Sequence, residues 1–291
     1  MNKAVAFAPG HISGFFQPLI DKTNVDKTGS RGAGVCISHG ATSTVCLETD
    51  NEQHLDIIVN GKTGDFTVTQ KAIKILLGDS RFNVTVDVQL DLPVGQGFGM
   101  SAASALSSSL ALTKILGKPQ KIAVQAAHQA EVEHHTGLGD VVASAMGGFE
   151  IREKPGIPPF GKIHKIDESS PLILALFPGS ISTHDVLTDT NKIDIISSIG
   201  KECTDSAIKN PMVNTIFYYS YYFTKKTDLA SDQLRLILKK INEKDQASMC
   251  MLGHSLFAKG KLRRIKKQIP SSVTIIETDV DNIGARILNS S

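Results

Sequence analysis

A two-domain α+β fold is predicted for this chain by three observations: a length of 291 residues, strand-like and helix-like runs mixed in both halves, and one Pro/Gly-rich break near the middle. The break runs from Pro155 to Gly161 and separates an N-terminal unit, residues 1–165, from a C-terminal unit, residues 166–291. Composition is that of a soluble globular protein, 41% hydrophobic and 21% charged with a formal net charge of +2. No apolar run approaches the roughly 18 residues that a membrane span needs. The opening "MNKAVAFAPG" lacks the apolar core of a signal peptide, so a cytoplasmic protein without a membrane partner is expected. Cys36, Cys46, Cys203 and Cys250 are scattered without a CxxC pair, which predicts free thiols rather than a zinc site.

The elements follow in order. "AVAFAP", "GVCISHGATSTVCLE" and "HLDIIVNG" read as strands from their β-branched content and alternation. "FTVTQKAIKILLGD" turns helical at its end, and "FNVTVDVQLDLP" is the clearest alternating strand. A helix then runs to about Gly117, and Pro119 opens the next, "PQKIAVQAAHQAEVEHH". Past the break, "PLILALF" is a continuous apolar strand, with helices expected around Lys192–Ser206, Asp228–Lys240 and Lys244–Leu256, and closing strands in "SVTIIETDV" and "GARIL". The basic run "KGKLRRIKKQ" carries Leu262, Ile265 and Ile269 at helical spacing, so its charges form the wet face of an amphipathic helix. With so small a net charge and no interleaved aromatics, a nucleic-acid partner is excluded.

The densest chemical signal is "PVGQGFGMSAASALSSSLAL", Pro93 to Leu112, where Gly95, Gly97 and Gly99 alternate before a run of small residues. Such a cluster costs conformational entropy and needs a reason, such as positive φ or close backbone approach. A glycine loop that empties into a helix N-terminus offers free N–H groups and the positive dipole end to an anion. No Lys follows Gly99, so this is not a Walker-type loop, and the acidic residue that marks a dinucleotide fold is not evident.

This stretch resembles the phosphate loop of the GHMP kinases, a superfamily of small-molecule kinases. "AFAPGHISGFF" (Ala6 to Phe16) resembles the superfamily's first motif, and "TGLGDVVASAMGGF" (Thr136 to Phe149) resembles the segment that carries a catalytic Asp. Together with "TGSRGAGVCISHG", "AEVEHHTGLGDVVA" and the ending "TDVDNIGARIL", the pattern is similar to the archaeal pantoate kinases. That family makes 4-phosphopantoate from pantoate and ATP on a route to coenzyme A. The superfamily's C-terminal glycine motif is not recognisable; "SMCMLGHSLFAKG" stands in its place.

The resemblance implies a two-domain fold with the active site in the interdomain cleft, and ATP and Mg²⁺ as cofactors. Pro93, Gly95, Gly97, Gly99, Ser101 and Ala102 would hold phosphates, with the Ser101 hydroxyl next to Mg²⁺; Met100 stands where a first serine is usual, and Ser104 or a water would replace it. Mg²⁺ binds through one or two carboxylates besides phosphate oxygens and water. Residues two apart on a helix diverge by about 200°, so only one of Glu131 and Glu133 can face the site; the place of Glu131 after Ala130 in the family-like "AHQAE" implies Glu131, with Glu133 the alternative. Asp140 would take or orient the acceptor's proton. Arg31 is expected to grip the acceptor carboxylate, with Ser30, His11 and Ser13 beside it, and Arg152, Lys22 and Lys27 as further cations. Shikimate, homoserine and mevalonate derivatives are alternative acceptors, and a ligand sensor without catalysis is the alternative outside enzymes. A homodimer is compatible with this reading.

Overall fold

Two long strands form the spine of the molecule. In the computed structural model, which describes residues 2–49, 52–64, 66–179 and 190–290 (backbone alone at 190 and 191), β1 (Asn2–Leu19) and β2 (Gly29–Thr49) pair antiparallel along nearly their whole length. β3 (His54–Val59), β4 (Lys62–Thr63) and β5 (Phe82–Leu90) extend the sheet on one side, and the last strand, β12 (Arg286–Ser290), returns to pair with β1, giving the order β12-β1-β2-β5-β3-β4. The far half of β2 pairs with β6 (Phe149–Lys154), which pairs with β7 (Lys162–Ile166). The sequence alternation of β5 places Val84, Val86 and Val88 in the core, with Asp87 and Gln89 outward.

Helices α1 (Thr67–Leu77), α2 (Met100–Ile115), α3 (Gln120–Glu133) and α4 (Asp140–Met146) pack together, and α2 lies against β1 and β2. Small residues let α2 sit deep: Ala102 to Thr113 are all buried. A second sheet, ordered β11-β8-β10-β9, comprises β8 (Leu172–Leu176), β9 (Gln246–Met249), β10 (Ser255–Lys259) and β11 (Thr274–Thr278), with α5 (Thr190–Lys209), α6 (Val213–Thr227), α7 (Asp232–Ile241) and α8 (Leu262–Lys266). The α+β arrangement expected from the sequence is the one observed.

Three features differ from expectation. Lys244–Leu256 is not a helix but the β9–β10 hairpin: two short buried segments, Ala247 to Met249 and Leu256 to Ala258, pair antiparallel across a turn at Gly253. The aromatic helix α6 was not singled out by periodicity. It joins the two sheets: the Phe217 ring lies 6.0 Å from that of Phe149 on β6 and 5.1 Å from that of Phe257 on β10. The return of β12 to β1 also means that the segment after residue 165 contributes to both sheets.

Candidate active site

A cavity of about 470 Å³ opens where the loop after β5 meets α1, the start of α2, the loop before α4 and the tip of the β9–β10 hairpin. This is within the size range of small-molecule sites. Gly95, Gly97 and Gly99 line it with φ of 81°, 77° and 62°, so the alternating glycines answer a backbone need. At Gly97 there is a second reason, since a Cβ would stand 2.9 Å from the Cys250 carbonyl oxygen of the hairpin. Gly99 precedes α2 and no side chain caps the helix, which leaves its first-turn N–H groups facing the loop. Ser101 and Ala102 line the cavity; Pro93 is exposed and does not. Met100 is buried with its Cε against Gly10, and the hydroxyls on the wall here are Thr69 and Ser104, paired at 2.8 Å.

The two acidic positions at the end of α3 take different surroundings. Glu133 points outward and pairs with Lys71 at 2.7 Å. Glu131 is buried on the cavity wall, where its Oε1 accepts hydrogen bonds from Ser101 Oγ at 2.7 Å and Thr136 Oγ1 at 3.0 Å. Burial, with the Asp140 carboxylate adding to it, outweighs the two hydroxyls and pushes the Glu131 pKa up to about 7. A buried carboxylate held only by hydroxyls and facing a second carboxylate suits a hard divalent cation with oxygen ligands.

Asp140 opens α4 and lines the cavity. Its Oδ1 accepts a hydrogen bond from His11 Nδ1 at 2.7 Å, and His11 Nε2 reaches Glu150 Oε1 at 2.9 Å. Arg152 Nη1 donates to the same Glu150 oxygen, and Arg152 Nη2 to Ser13 Oγ at 3.2 Å. A carboxylate oxygen at each ring nitrogen favours the imidazolium, which donates from both. Burial alone would depress the His11 pKa, but hydrogen bonds and charges from Asp140 and Glu150 raise it. Burial likewise works against the Asp140 carboxylate, and His11 with Arg152 overcomes it, holding Asp140 below the usual carboxylate range.

Strand register explains how these groups meet. His11 is opposite Cys36, Ser13 opposite Gly34, Gly34 opposite Glu150 and Gly32 opposite Arg152, so His11, Ser13, Ser30, Glu150 and Arg152 share one face of the sheet. Gly34 makes the crossing possible: a Cβ there would stand 2.5 Å from His11 Nε2 and 3.0 Å from Glu150 Oε1. Arg31, one residue out of phase, points to the other face. Its guanidinium donates to Asp205 Oδ1 at 2.6 Å, Gln17 Oε1 at 3.1 Å and the Glu153 carbonyl at 2.9 Å.

The expectation that Arg31 faces the acceptor is therefore corrected, and so is a direct role for His11, which is fully buried behind Asp140. Ser13 and Ser30 line the cavity. The cation beneath them is Arg152, whose Nε lies 2.7 Å from where a Gly139 Cβ would be and is a buried donor without a partner. Lys22 is exposed, and Lys27 lies over the Phe160 ring, 5.2 Å from its centroid; neither lines the cavity. Glu150, Thr136, Met251 and Leu252 were not anticipated as site residues. For Glu150 and Arg152 a signal existed: charges two apart in "FEIREK" fall on one face of a strand.

A family model described as the GHMP kinases N terminal domain matches residues 67–148, which contain the glycine loop, Glu131 and Asp140. Two curated relatives match nearly the whole chain. A pantoate kinase of Thermococcus kodakarensis is 33% identical over 96% of this chain and 97% of its own, and a pantoate kinase of Methanocaldococcus jannaschii is 31% identical over 94% and 97%. The chain belongs to the pantoate kinase family. A solved structure described as a phosphotransferase related to the CoA biosynthesis pathway superposes with a TM-score of 0.87 at 30% identity, covering 99% of this chain and 98% of that one. This family member is a small-molecule kinase, and among its described residues no helix is long and apolar enough to cross a membrane.

Within that frame the Arg31 correction is directly measurable. Arg31→Ala removes a partly exposed ion pair, so it should lower unfolding stability by about 1 kcal/mol or less. The KM for a carboxylate acceptor should stay within about twofold of wild type, since a surface pair away from the site does not bind substrate. A selective rise in that KM would return Arg31 to the site.

Proposed function

We propose that this protein transfers the γ-phosphoryl group of ATP to the C4 hydroxyl of pantoate, giving 4-phosphopantoate and ADP for coenzyme A synthesis. The observation that carries the reading is one cavity in which an anion cradle at the start of α2, the Asp140 carboxylate and a floor of Ser13 and Ser30 over the buried Arg152 converge. Pantoate carries a carboxylate at one end and the reacting hydroxyl at the other, and this floor and Asp140 match its two ends. The apolar end of the cavity, with Val59, Phe66, Val68 and Leu90, suits a purine base.

In this reading the glycine loop positions the phosphates with backbone N–H groups, and Arg152 offsets the acceptor carboxylate from beneath. Asp140 orients the C4 hydroxyl and takes its proton as the new O–P bond forms and the β–γ bridging P–O bond breaks, so that ADP leaves. His11 keeps Asp140 ionised and turned toward the cavity. Glu131 and Ser101 would hold Mg²⁺, which when bound offsets charge on the β- and γ-phosphate oxygens. Closing of the cavity over bound substrates would exclude water and favour the acceptor over hydrolysis.

The test is ADP production by the purified protein with Mg-ATP and a panel of pantoate, shikimate, homoserine, mevalonate and phosphomevalonate. Turnover on pantoate at least about a hundredfold above the other acceptors is expected, because they hold their charged group and hydroxyl at other spacings and on other skeletons, so none sets both ends at the Arg152 floor and Asp140 together. Turnover on a different acceptor would reassign the substrate, and nucleotide binding with silence across the panel would favour a sensor.

A further inference from the structure

The tip of the β9–β10 hairpin has a feature that the transfer chemistry does not use. Gly253 N donates to the Cys250 carbonyl at 3.0 Å and Cys250 N donates to the Ser255 carbonyl at 3.0 Å, closing a four-residue turn from Cys250 to Gly253. Its third residue is Leu252, at φ 62°. That left-handed conformation is natural for glycine and strained for a branched side chain. The turn is also tied down on both sides. Met251 N donates to the Ser13 carbonyl at 3.0 Å, and Ser255 Oγ donates to the Gln96 carbonyl of the glycine loop at 2.6 Å.

The tip thus sits between the acceptor floor at Ser13 and the phosphate loop, and both Met251 and Leu252 line the cavity there. Phe16 and Leu138 are further apolar residues of the cavity wall. Because Met251 is hydrogen-bonded to Ser13, this wall borders the floor across which a substrate spanning Arg152 and Asp140 would lay its central carbon. In pantoate that carbon is quaternary and bears two methyl groups, which need an apolar surface and gain from it.

We infer that Met251 and Leu252 determine acceptor specificity by packing against the geminal methyl groups of the substrate. The inference rests on the proposed function and adds to it the residues that distinguish pantoate from unbranched hydroxy acids. Leucine in a turn position where glycine would be unstrained is accounted for by what its side chain contacts in the cavity. The C-terminal segment without the superfamily's usual glycine motif, Ser248 to Gly260, therefore supplies an apolar reading surface.

The experiment compares kcat/KM for pantoate and for 2,4-dihydroxybutanoate, which has the same carboxylate and hydroxyls but no methyl groups. Wild type should prefer pantoate by about tenfold or more, within what apolar contacts discriminate. Leu252→Gly relaxes the turn, so its thermal midpoint should not fall, and Met251→Ala serves as the second variant. In each, the loss on pantoate should exceed the loss on dihydroxybutanoate by about tenfold. Equal losses on both acceptors, or an unchanged preference in both variants, would overturn the inference. Turnover of neither acceptor by wild type would sink the proposed substrate itself, and that outcome is read before any variant is made.

Discussion

Asp140→Asn should lower kcat by at least about a hundredfold, the range expected when a positioned proton acceptor is lost. Nucleotide affinity should stay within about threefold, because the phosphate cradle is built from backbone of the Gly95–Gly99 loop on another element. Asn is preferred to Ala because its side-chain oxygen still accepts the His11 Nδ1 hydrogen bond, 2.7 Å long in the wild type. Alanine would leave a buried imidazolium with one donor orphaned, and the resulting loss of stability would confuse the measurement. The low pKa of Asp140 does not argue against this role. In a loose phosphoryl-transfer transition state the attacking oxygen loses its proton late, when that proton has become acidic, so a weak but ionised base in the right place suffices. Single-turnover kinetics with a separate nucleotide-binding measurement make the check. Wild-type turnover would remove Asp140 from proton handling, and a parallel fall in nucleotide affinity would assign it to the cradle.

What the sequence revealed, and what it hid, follows from the range of the signals. The glycine loop stood out by its local spacing, and Ser101, Glu131 and Asp140 by the resemblance of the short motifs that contain them. Glu131 over Glu133 was a question of helix phase, and the structure places one beside Ser101 and the other beside Lys71. Arg31 failed for a similar local reason. The β-branched run marks the strand only from Gly34, whereas β2 begins at Gly29, and adjacent strand residues such as Ser30 and Arg31 face opposite ways. The small residues around Arg31 do permit a close approach, but it is the approach of Arg152, His11 and Glu150 across Gly32 and Gly34. That network joins positions up to 141 residues apart, and only the pairing of β1, β2 and β6 brings them together. The hairpin at Gln246–Lys259 was hidden because a short apolar run has no periodicity that separates strand from helix.

Glu131→Gln should make the protein more stable and less active, and pH separates the two effects. The Glu131 pKa rises on folding from 4.5 to about 7. Below the lower value the side chain is protonated in both the folded and unfolded chain and contributes no difference. Between the two values the unfolded chain ionises while the folded one holds its proton, so wild type loses stability as pH rises, at about 1.4 kcal/mol per pH unit. By pH 8 the accumulated cost is about 3 kcal/mol, and glutamine, which does not ionise, avoids it. Denaturant unfolding should therefore show variant and wild type alike at pH 4 and the variant more stable at pH 8. Adding Mg²⁺ at pH 8 should raise the wild-type midpoint and leave the variant's nearly unchanged, since a ligand that binds the folded state stabilises it. Activity should fall by about a hundredfold with the loss of charge stabilisation at the phosphates. In wild type the acid limb of kcat/KM should lie near the Glu131 pKa of about 7, and it should move to lower pH as Mg²⁺ concentration rises, because the cation and the proton compete for one carboxylate. An acid limb insensitive to Mg²⁺, together with equal stability at pH 8, would mean that the Glu131 carboxylate neither costs stability when ionised nor holds the metal. Asp140, ionised and next to it, would then be the carboxylate to test for that role.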